Sequence, residues 1–274
     1  MSIVFDEDMS DFPLHAPQKL PLSVVIITLN EEKNLPRCLA SVPFASEFFV
    51  LDSGSTDQTL SVARKLGAQV CEEPWKGFGA QKHSAVRQAQ YPWVLCLDAD
   101  EELSPELAEE ILKKFSQLQP QVGYKIPRLS FYLGRWIRHG GWYPDYQLRL
   151  FHRDHHQWAL STIHESVHAE KTEKLEHPMR HFVFRDIAHQ IQTNNRYSSL
   201  QAEAAFAKGQ GFSWMKLIFK PWSKFLECYL WKRGFLDGFP GFFIAVGAAY
   251  SVFLRHGKIW ELESRSQNSL RGPG

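Results

Sequence analysis

The chain has 274 residues, of which 44% are hydrophobic and 22% charged, enough for one large α/β domain with an appendage. Its 31 basic and 30 acidic residues leave a net charge of +1, which excludes the strong basic excess of a general nucleic-acid-binding protein. The four cysteines, Cys38, Cys71, Cys96 and Cys228, form no C-x-x-C pair, so neither a zinc site nor a disulfide framework is indicated. We therefore expect a protein of a reducing compartment.

The first twenty residues are acidic and interrupted by prolines. A secretory signal begins basic and continues with an apolar segment, so this stretch does not resemble one. We therefore expect residues 1–20 to be an N-terminal extension. We also expect the protein to be made in the cytoplasm and to stay there.

Strand-like and helix-like segments then alternate along the chain. Residues 22–27 (LSVVII) form an apolar, β-branched run typical of a strand buried on both faces of a parallel sheet. Further strand-like runs lie at 48–51, 68–71 and 93–97, and helices are predicted at 32–41, after 57, at 79–90 and from Ser104. This alternation predicts βαβ units and an α/β fold with a mostly parallel sheet.

Polar motifs end three of these strands: Thr28–Glu31, Asp52–Asp57 and Asp98–Asp100. Ligands of parallel sheets bind beyond the carboxyl ends of the strands, where such motifs meet. The carboxylates of Asp98-Ala99-Asp100 suit a hard divalent cation, Mg²⁺ or Mn²⁺, that neutralises a diphosphate. Each motif alone is equally compatible with a solvated turn that caps the next helix, through Thr56 or Asp57 in the second motif. Their occurrence in series favours a shared site.

The pattern changes in the second half of the chain. Residues 124–167 form short aromatic-rich pieces with Gly and Pro, which we interpret as loops and mixed-sheet strands that build the other side of a cleft. A helix is predicted at 186–208, and the break Gly209-Gln210-Gly211 follows it. We therefore expect a catalytic domain at 21–208 and a separate helical region at 209–274.

Three segments resemble glycosyltransferases of family 2, which have the GT-A (Rossmann-like) fold: LSVVIITLNEEKNLPRCLAS, VLDSGSTDQTLSVA and WVLCLDADEELSPEL. The agreement in motif type and order covers roughly residues 20–165. The resemblance implies a nucleotide-diphospho-sugar donor, a divalent metal and inversion at the anomeric carbon of the transferred sugar.

The same resemblance assigns donor-binding residues. The nucleotide-contacting positions are Thr28, Asn30, Glu31 and Asp52, and Asp98 lies on the ribose side. Lys82 matches a basic position that steadies the donor phosphates, although a solvated helix lysine is the alternative. Arg149 either clamps a phosphate through its planar guanidinium or pairs with a neighbouring acid.

The resemblance also places Asp100 at the metal position, with Asp98 beside it. A neutral imidazole binds metals, so His164 is the candidate third ligand, unless that histidine is structural. Inversion by single displacement needs a carboxylate near the acceptor hydroxyl. Asp145, in W-Y-P-D-Y-Q-L-R-L-F, precedes an R-L-F strand as in family members and is our first choice. Glu165 is the competitor.

The chain departs from the family pattern at two points. Ser53 replaces a second aspartate found in many relatives, and the Q-x-x-R-W signature of processive polysaccharide synthases is absent. We therefore do not expect a processive enzyme. The combination of D-S-G-S-T-D, G-G-W-Y-P-D, Q-L-R-L-F and H-E resembles bacterial lipopolysaccharide core glucosyltransferases, which add glucose to inner-core heptose. We therefore expect transfer of a single hexose, with glucose as the first candidate, from a UDP-sugar to a lipid-linked glycan. The alternatives are a polyprenyl-phosphate glycosyltransferase and a non-catalytic sugar-nucleotide-binding membrane protein.

The C-terminal region has the composition of a membrane-associating segment. Residues 238–254 carry no charge and reach only the minimum length of about 17 residues for a span. Residues 212–235 mix aromatic and basic side chains, which suits a headgroup interface. We expect peripheral association with the cytoplasmic face of the inner membrane. The alternative is a pair of amphipathic helices that pack on the catalytic domain or in a homo-oligomer.

Overall fold

The computed structural model describes residues 19–158 and 167–271. Strands and helices alternate in the order β1 (Leu20–Thr28), α1 (Leu35–Ala40), β2 (Ala45–Asp52), α2 (Thr59–Lys65), β3 (Gln69–Glu72), α3 (Phe78–Gln88) and β4 (Trp93–Asp98). β1 is parallel to both of its neighbours, with Val25 opposite Phe49 of β2 and Cys96 of β4. Because helices cover both faces of β1, its apolar run is uninterrupted.

The second half extends the same sheet with mixed strands and adds a small separate sheet. The main sheet gains β5 (Glu101–Leu103), β6 (Val122–Tyr132), β7 (Arg135–Ile137), β8 (Asp145–His152), β11 (Lys171–Lys174) and β12 (Met179–His181), and α4 (Pro105–Lys114) follows β5. β9 (Gln157–Trp158) and β10 (Val167–His168) pair with each other in the separate antiparallel sheet. The main strand order is β3-β2-β1-β4-β8-β6-β12-β5, and β7 and β11 pair with β6. β8 is antiparallel to β4 and β6, so it joins the parallel half to the mixed half.

Two apolar layers hold this sheet. One face packs against α1, α2 and α4 through a cluster that includes Leu35 and Ile111. The other face packs against α3 through Ala85 and Val86. The chain therefore has a GT-A-like α/β fold with a mostly parallel sheet and flanking helices, and the predicted fold class is confirmed.

The first helix begins later than the sequence predicts, and the second begins after residue 57, as expected, but without Thr56 as its cap. α1 starts at Leu35 rather than residue 32 because Asn30 adopts a left-handed conformation with φ of 58° and a turn follows it. α2 starts at Thr59, so Thr56 does not cap it. Instead, the Thr56 amide donates to Asn30 Oδ1 at 2.8 Å. Thr56, a candidate cap for α2, therefore joins the turn after β2 to the turn after β1.

Three long helices complete the chain: α5 (Ile187–Ala207), α6 (Trp214–Leu226) and α7 (Gly238–Arg271). A π-helical turn (Glu227–Trp231) and a 3-10 turn (Gly234–Asp237) connect α6 to α7. α7 packs along α5 and α6, and Ile244 joins a small core with Tyr132 and Ile137 of the sheet. In the described part of the chain, one helical stretch, Gly234–Ser266, is long and apolar enough to cross a membrane.

Candidate active site at the carboxyl ends of the parallel strands

The polar ends of β1 and β2 are joined by hydrogen bonds. The Thr28 hydroxyl donates to Asp52 Oδ2 at 2.7 Å. The Asn30 amide donates to the Ser55 hydroxyl at 2.8 Å. These bonds add to the Asn30–Thr56 contact, so two motifs separated by more than twenty residues form one rim of the sheet edge.

Asp52 is fully buried and organises the turn that follows β2. Its Oδ1 accepts the Gly54 amide at 2.9 Å and the Ser55 amide at 2.7 Å, and its Oδ2 accepts the Ser55 hydroxyl at 2.6 Å. Burial by itself raises the pKa of Asp52, but the hydrogen bonds from Ser55, Thr28 and Gly54 outweigh burial and hold the pKa below its usual value. Asp52 is therefore ionised and fixed in place. Its predicted contact with a nucleotide stays a prediction.

Asp98, at the end of β4, lies between two buried cations. Lys82 Nζ lies 2.7 Å from Asp98 Oδ1, and Arg149 Nη2 lies 2.5 Å from Asp98 Oδ2. Burial opposes ionisation of Asp98, but Arg149 and Lys82 outweigh it and hold the pKa far below the usual range. Lys82 is 2% exposed, so a solvated helix lysine is excluded. Of the two roles predicted for Arg149, the structure contains the pairing with a neighbouring acid, Asp98.

Glu101 continues this pattern, although the sequence did not single it out. It is fully buried, and its Oε1 lies 2.7 Å from Arg149 Nη2 and 3.5 Å from Arg128 Nη1. Arg128 Nη2 then lies 2.6 Å from Asp145 Oδ2. We call the alternating series of three cations and three carboxylates the charge ladder; its members are Lys82, Asp98, Arg149, Glu101, Arg128 and Asp145. It connects the end of β4 to the predicted base.

Replacing Glu101 with Gln should destabilise the fold, because Arg149 and Arg128 would lose a buried counter-charge. The expected loss is about 3 kcal/mol of unfolding free energy, or roughly 8 °C in melting temperature. Urea unfolding followed by circular dichroism measures it. The control is Glu109→Gln, at a glutamate that pairs with Lys113 on the surface and should change stability by less than about 0.5 kcal/mol. Equal stabilities of the two variants would contradict a structural role for the charge ladder.

Asp100 lies beside the charge ladder and faces a histidine from another strand. His181 Nε2 lies 3.3 Å from Asp100 Oδ2, and His181 Nδ1 lies 3.3 Å from the Ser130 hydroxyl. The histidine arrives because β12 pairs with β5, with His181 opposite Glu101. Sequence reasoning missed His181, since nothing in the M-R-H-F stretch indicates that β12 reaches the acidic edge.

Glu31 adds negative charge to the same edge. It is half-buried, and its Oε2 accepts a hydrogen bond from Asn34 Nδ2 at 2.8 Å. Burial raises the pKa of Glu31, and the negative charges of Asp100, Asp57 and Asp98 raise it further against the opposing effect of Asn34. The predicted residues Glu31, Asp98 and Asp100 therefore share one electrostatic environment.

The acceptor-side predictions have different outcomes. Asp145 begins β8 directly opposite Arg128 of β6, and its side chain is 37% exposed. Gln147 Nε2 donates to Asp145 Oδ1 at 2.8 Å, so both carboxylate oxygens are oriented. Glu165 and His164 lie outside the described residues. Within those residues, no group of three or more His, Cys, Asp or Glu side chains is arranged to hold a metal ion.

Comparison with known proteins identifies the class of this fold and site. Residues 23–172 match the family described as glycosyl transferase family 2. The chain is 32% identical over 262 residues to the lipopolysaccharide core biosynthesis glycosyltransferase LpsC of Rhizobium meliloti, which covers 89% of this chain and 93% of LpsC. The chain belongs to glycosyltransferase family 2, as the sequence motifs predicted, and it is therefore an enzyme.

Two further proteins are similar to this chain, one in sequence and one in structure. An uncharacterized glycosyltransferase of Rickettsia typhi is 34% identical over 262 residues, which cover 91% of this chain and 90% of that protein. The crystal structure of S. aureus TarS 1-349 is 14% identical, with a TM-score of 0.44, and covers 90% of this chain and 92% of that one. This structural likeness is too weak to bear on the activity of the present chain.

Proposed function

We propose that this protein transfers a single hexose, with glucose as the first candidate, from a UDP-sugar to a lipid-linked glycan, with inversion at the anomeric carbon. The proposed acceptor is the inner-core heptose of lipopolysaccharide. Family membership and the 32% identity to LpsC support this assignment. The observation that carries it is the sheet edge where Asp98 pairs with buried Lys82 and Arg149, Asp100 faces His181, and Asp145 ends the charge ladder.

Asp100 and His181 fit a divalent cation, Mg²⁺ or Mn²⁺. In the tautomer whose Nδ1–H donates a hydrogen bond to the Ser130 hydroxyl, His181 Nε2 carries a free electron pair 3.3 Å from Asp100 Oδ2. Such cations commonly take one or two side chains and complete their shell with substrate phosphates and water. The bound ion supplies positive charge that neutralises the departing diphosphate. His164 remains our predicted additional ligand.

In this proposal the main role of Asp98 is to hold the cations Lys82 and Arg149 in position at the donor site. Both of its carboxylate oxygens are engaged, by Lys82 and by Arg149. Burial lowers the pKa of Arg149, but Asp98 and Glu101 outweigh it and keep the guanidinium charged. Lys82 and Arg149 thus offer fixed positive charge to a diphosphate, while the rim around Asn30 and Asp52 receives the nucleotide.

Asp145 is the proposed base. It takes the proton from the acceptor hydroxyl as that oxygen attacks the anomeric carbon from the face opposite the diphosphate. Two Arg128 nitrogens donate to Asp145 Oδ2, at 3.0 and 2.6 Å, so Arg128 orients the carboxylate. The partial exposure of Asp145 leaves room for an acceptor. Glu165 remains the competing candidate.

We further propose that residues 21–208 form the catalytic domain and that residues 209–274 associate with the membrane. A lipid-linked acceptor and a cytoplasmic nucleotide sugar meet at the cytoplasmic face of the inner membrane. The apolar helix at Gly234–Ser266 and the exposed aromatic side chains of α6 support peripheral association there.

A calorimetric screen of nucleotide sugars with and without Mn²⁺ tests the proposed donor. UDP-glucose should bind at least about tenfold more tightly with Mn²⁺, which corresponds to about 1.4 kcal/mol. GDP-mannose and NAD serve as controls for the nucleotide and for the reaction class. Tighter binding of GDP-mannose would change the donor, and absence of binding by every nucleotide sugar would contradict the proposal.

A further inference from the structure

Helix α6 exposes an apolar face that nothing in the described chain covers. Its exposed large side chains fall within about 140° of the helix circumference at 100° per residue; they are Trp214, Met215, Ile218, Phe219, Trp222 and Leu226. Trp214 and Trp222 are 67% and 68% exposed. A contiguous face of this kind marks a surface that meets another apolar phase.

The other two faces of α6 have different chemistry. Leu217, Pro221 and Phe225 are half-buried on the side that packs against α7, where the Phe225 and Phe242 rings lie 6.0 Å apart. The lysines Lys216, Lys220 and Lys224 lie together on the third side, and α6 contains no acidic residue. The helix therefore has an apolar face bordered by a basic stripe, which is the pattern of a helix lying in an anionic headgroup layer.

The exposed surface continues beyond α6. Leu230 and Trp231 in the π-helical turn are 56% and 88% exposed. α7 adds a stripe of exposed side chains at spacings of three and four residues, namely Phe239, Phe242, Val246, Tyr250 and Phe253. We call α6, the turn and this stripe the docking surface.

α7 itself is tied to the protein along its length, which argues against a transmembrane orientation. Lys258 Nζ donates to Asn195 Oδ1 at 2.7 Å and to Ser198 Oγ at 2.8 Å, both on α5. Nearer its start, the Gly247 carbonyl accepts from Asn194 Nδ2 at 3.2 Å. A bilayer around α7 would also enclose polar α5, whose exposed groups would lose their water.

The docking surface is attached to the acceptor side of the cleft. The buried carboxylate of Asp237, just before α7, accepts the Arg138 amide at 3.0 Å and the His139 amide at 2.8 Å. The Gly140 amide donates to the Lys232 carbonyl at 2.8 Å. This loop leads into β8, so hydrogen bonds tie the docking surface to the segment that carries the proposed base Asp145.

We propose that α6 lies in the plane of an anionic lipid bilayer with its aromatic face inserted, and that α7 lies along the protein without spanning. The proposal rests on the proposed function, since it gives the lipid-linked acceptor a route to Asp145. The basic stripe favours anionic lipid over a second copy of the chain, because two such stripes would face each other across a symmetric interface and repel.

The test uses the full-length protein and flotation with vesicles of phosphatidylcholine alone or with 30% phosphatidylglycerol. Wild type should float with the anionic vesicles, and Phe219→Ala with Trp222→Ala should lower the partition coefficient at least about tenfold. Lys216→Glu with Lys220→Glu should lower it by about the same factor and remove the preference for phosphatidylglycerol. Trp75→Ala, at an aromatic residue that is 45% exposed and lies outside the docking surface, should change nothing.

Alkaline carbonate extraction of cell membranes reports the orientation of α7. Release of the wild-type protein is expected, and retention in the pellet would overturn the in-plane arrangement. Unchanged flotation of the Phe219/Trp222 variant would overturn the docking surface. So would a wild-type protein that binds no vesicles and forms a dimer that this variant disrupts.

Melting curves check that the variants fold. UDP-glucose calorimetry separates the two proposals, because vesicle binding without donor binding contradicts only the function, and the converse contradicts only the docking.

Discussion

Replacing Asp145 with Asn should lower kcat by about 10³-fold while leaving donor affinity unchanged. General base catalysis contributes about 10²- to 10⁴-fold, and the amide cannot take the acceptor proton at neutral pH. Asn keeps an oxygen for the Arg128 hydrogen bonds that Asp145 receives at 3.0 and 2.6 Å, so the site should retain its shape. UDP release with acceptor measures turnover, and calorimetry measures donor binding.

The control for this variant is Asp154→Asn, at an aspartate whose side chain is 67% exposed and which has no place in the proposed mechanism. It should retain wild-type turnover. Glu165→Gln is the competing experiment. If that variant alone loses turnover and still binds donor, Asp145 is not the base.

Asp100→Ala should abolish transfer and remove the Mn²⁺ dependence of donor binding. The variant leaves His181 as the one described side chain of the proposed pair, and a single imidazole does not replace a carboxylate for a hard cation. We expect kcat to fall by at least about 10³-fold, since the charge of the departing diphosphate would lose its main stabilisation. Calorimetry with and without Mn²⁺, alongside turnover, measures both effects.

Glu109→Ala supplies the control for Asp100→Ala, because it removes a carboxylate from the solvent side of α4. It should bind UDP-glucose with the same Mn²⁺ dependence as wild type. Wild-type turnover by Asp100→Ala would remove the metal assignment. Loss of donor affinity to the same extent with and without Mn²⁺ would instead assign Asp100 to the sugar or nucleotide.

The parallel half of the fold followed from local pattern. The β-branched run of β1 and the apolar run of β4 predict strands buried on both faces, and strand-helix alternation then brings their polar ends to one edge. The hydrogen bond from Thr28 to Asp52 and the ion pair of Lys82 with Asp98 are both at that edge. The family likewise followed from the order of the three motifs.

Local rules failed where side chains were shared between distant segments. Asn30 and Thr56 bind each other, so Thr56 does not cap α2, and α1 starts at Leu35 rather than at residue 32. Composition also could not predict which face of α6 is exposed, because the same residues would suit a helix buried against a neighbour. Only the position of α7, packed on one side of α6, decides which face remains open.

By itself, the sequence determined the α/β architecture, the family and the acidic edge, because those depend on periodicity and on motifs that directly follow strands. Tertiary structure decided which side chains pair with the predicted site residues. Glu101, Arg128 and His181 lie on β5, β6 and β12, in the mixed half of the sheet, and no local sequence pattern marks them. The physical reason is that a buried charge is stable only beside its counter-charge. Which residues supply that counter-charge depends on strand pairing across the whole sheet.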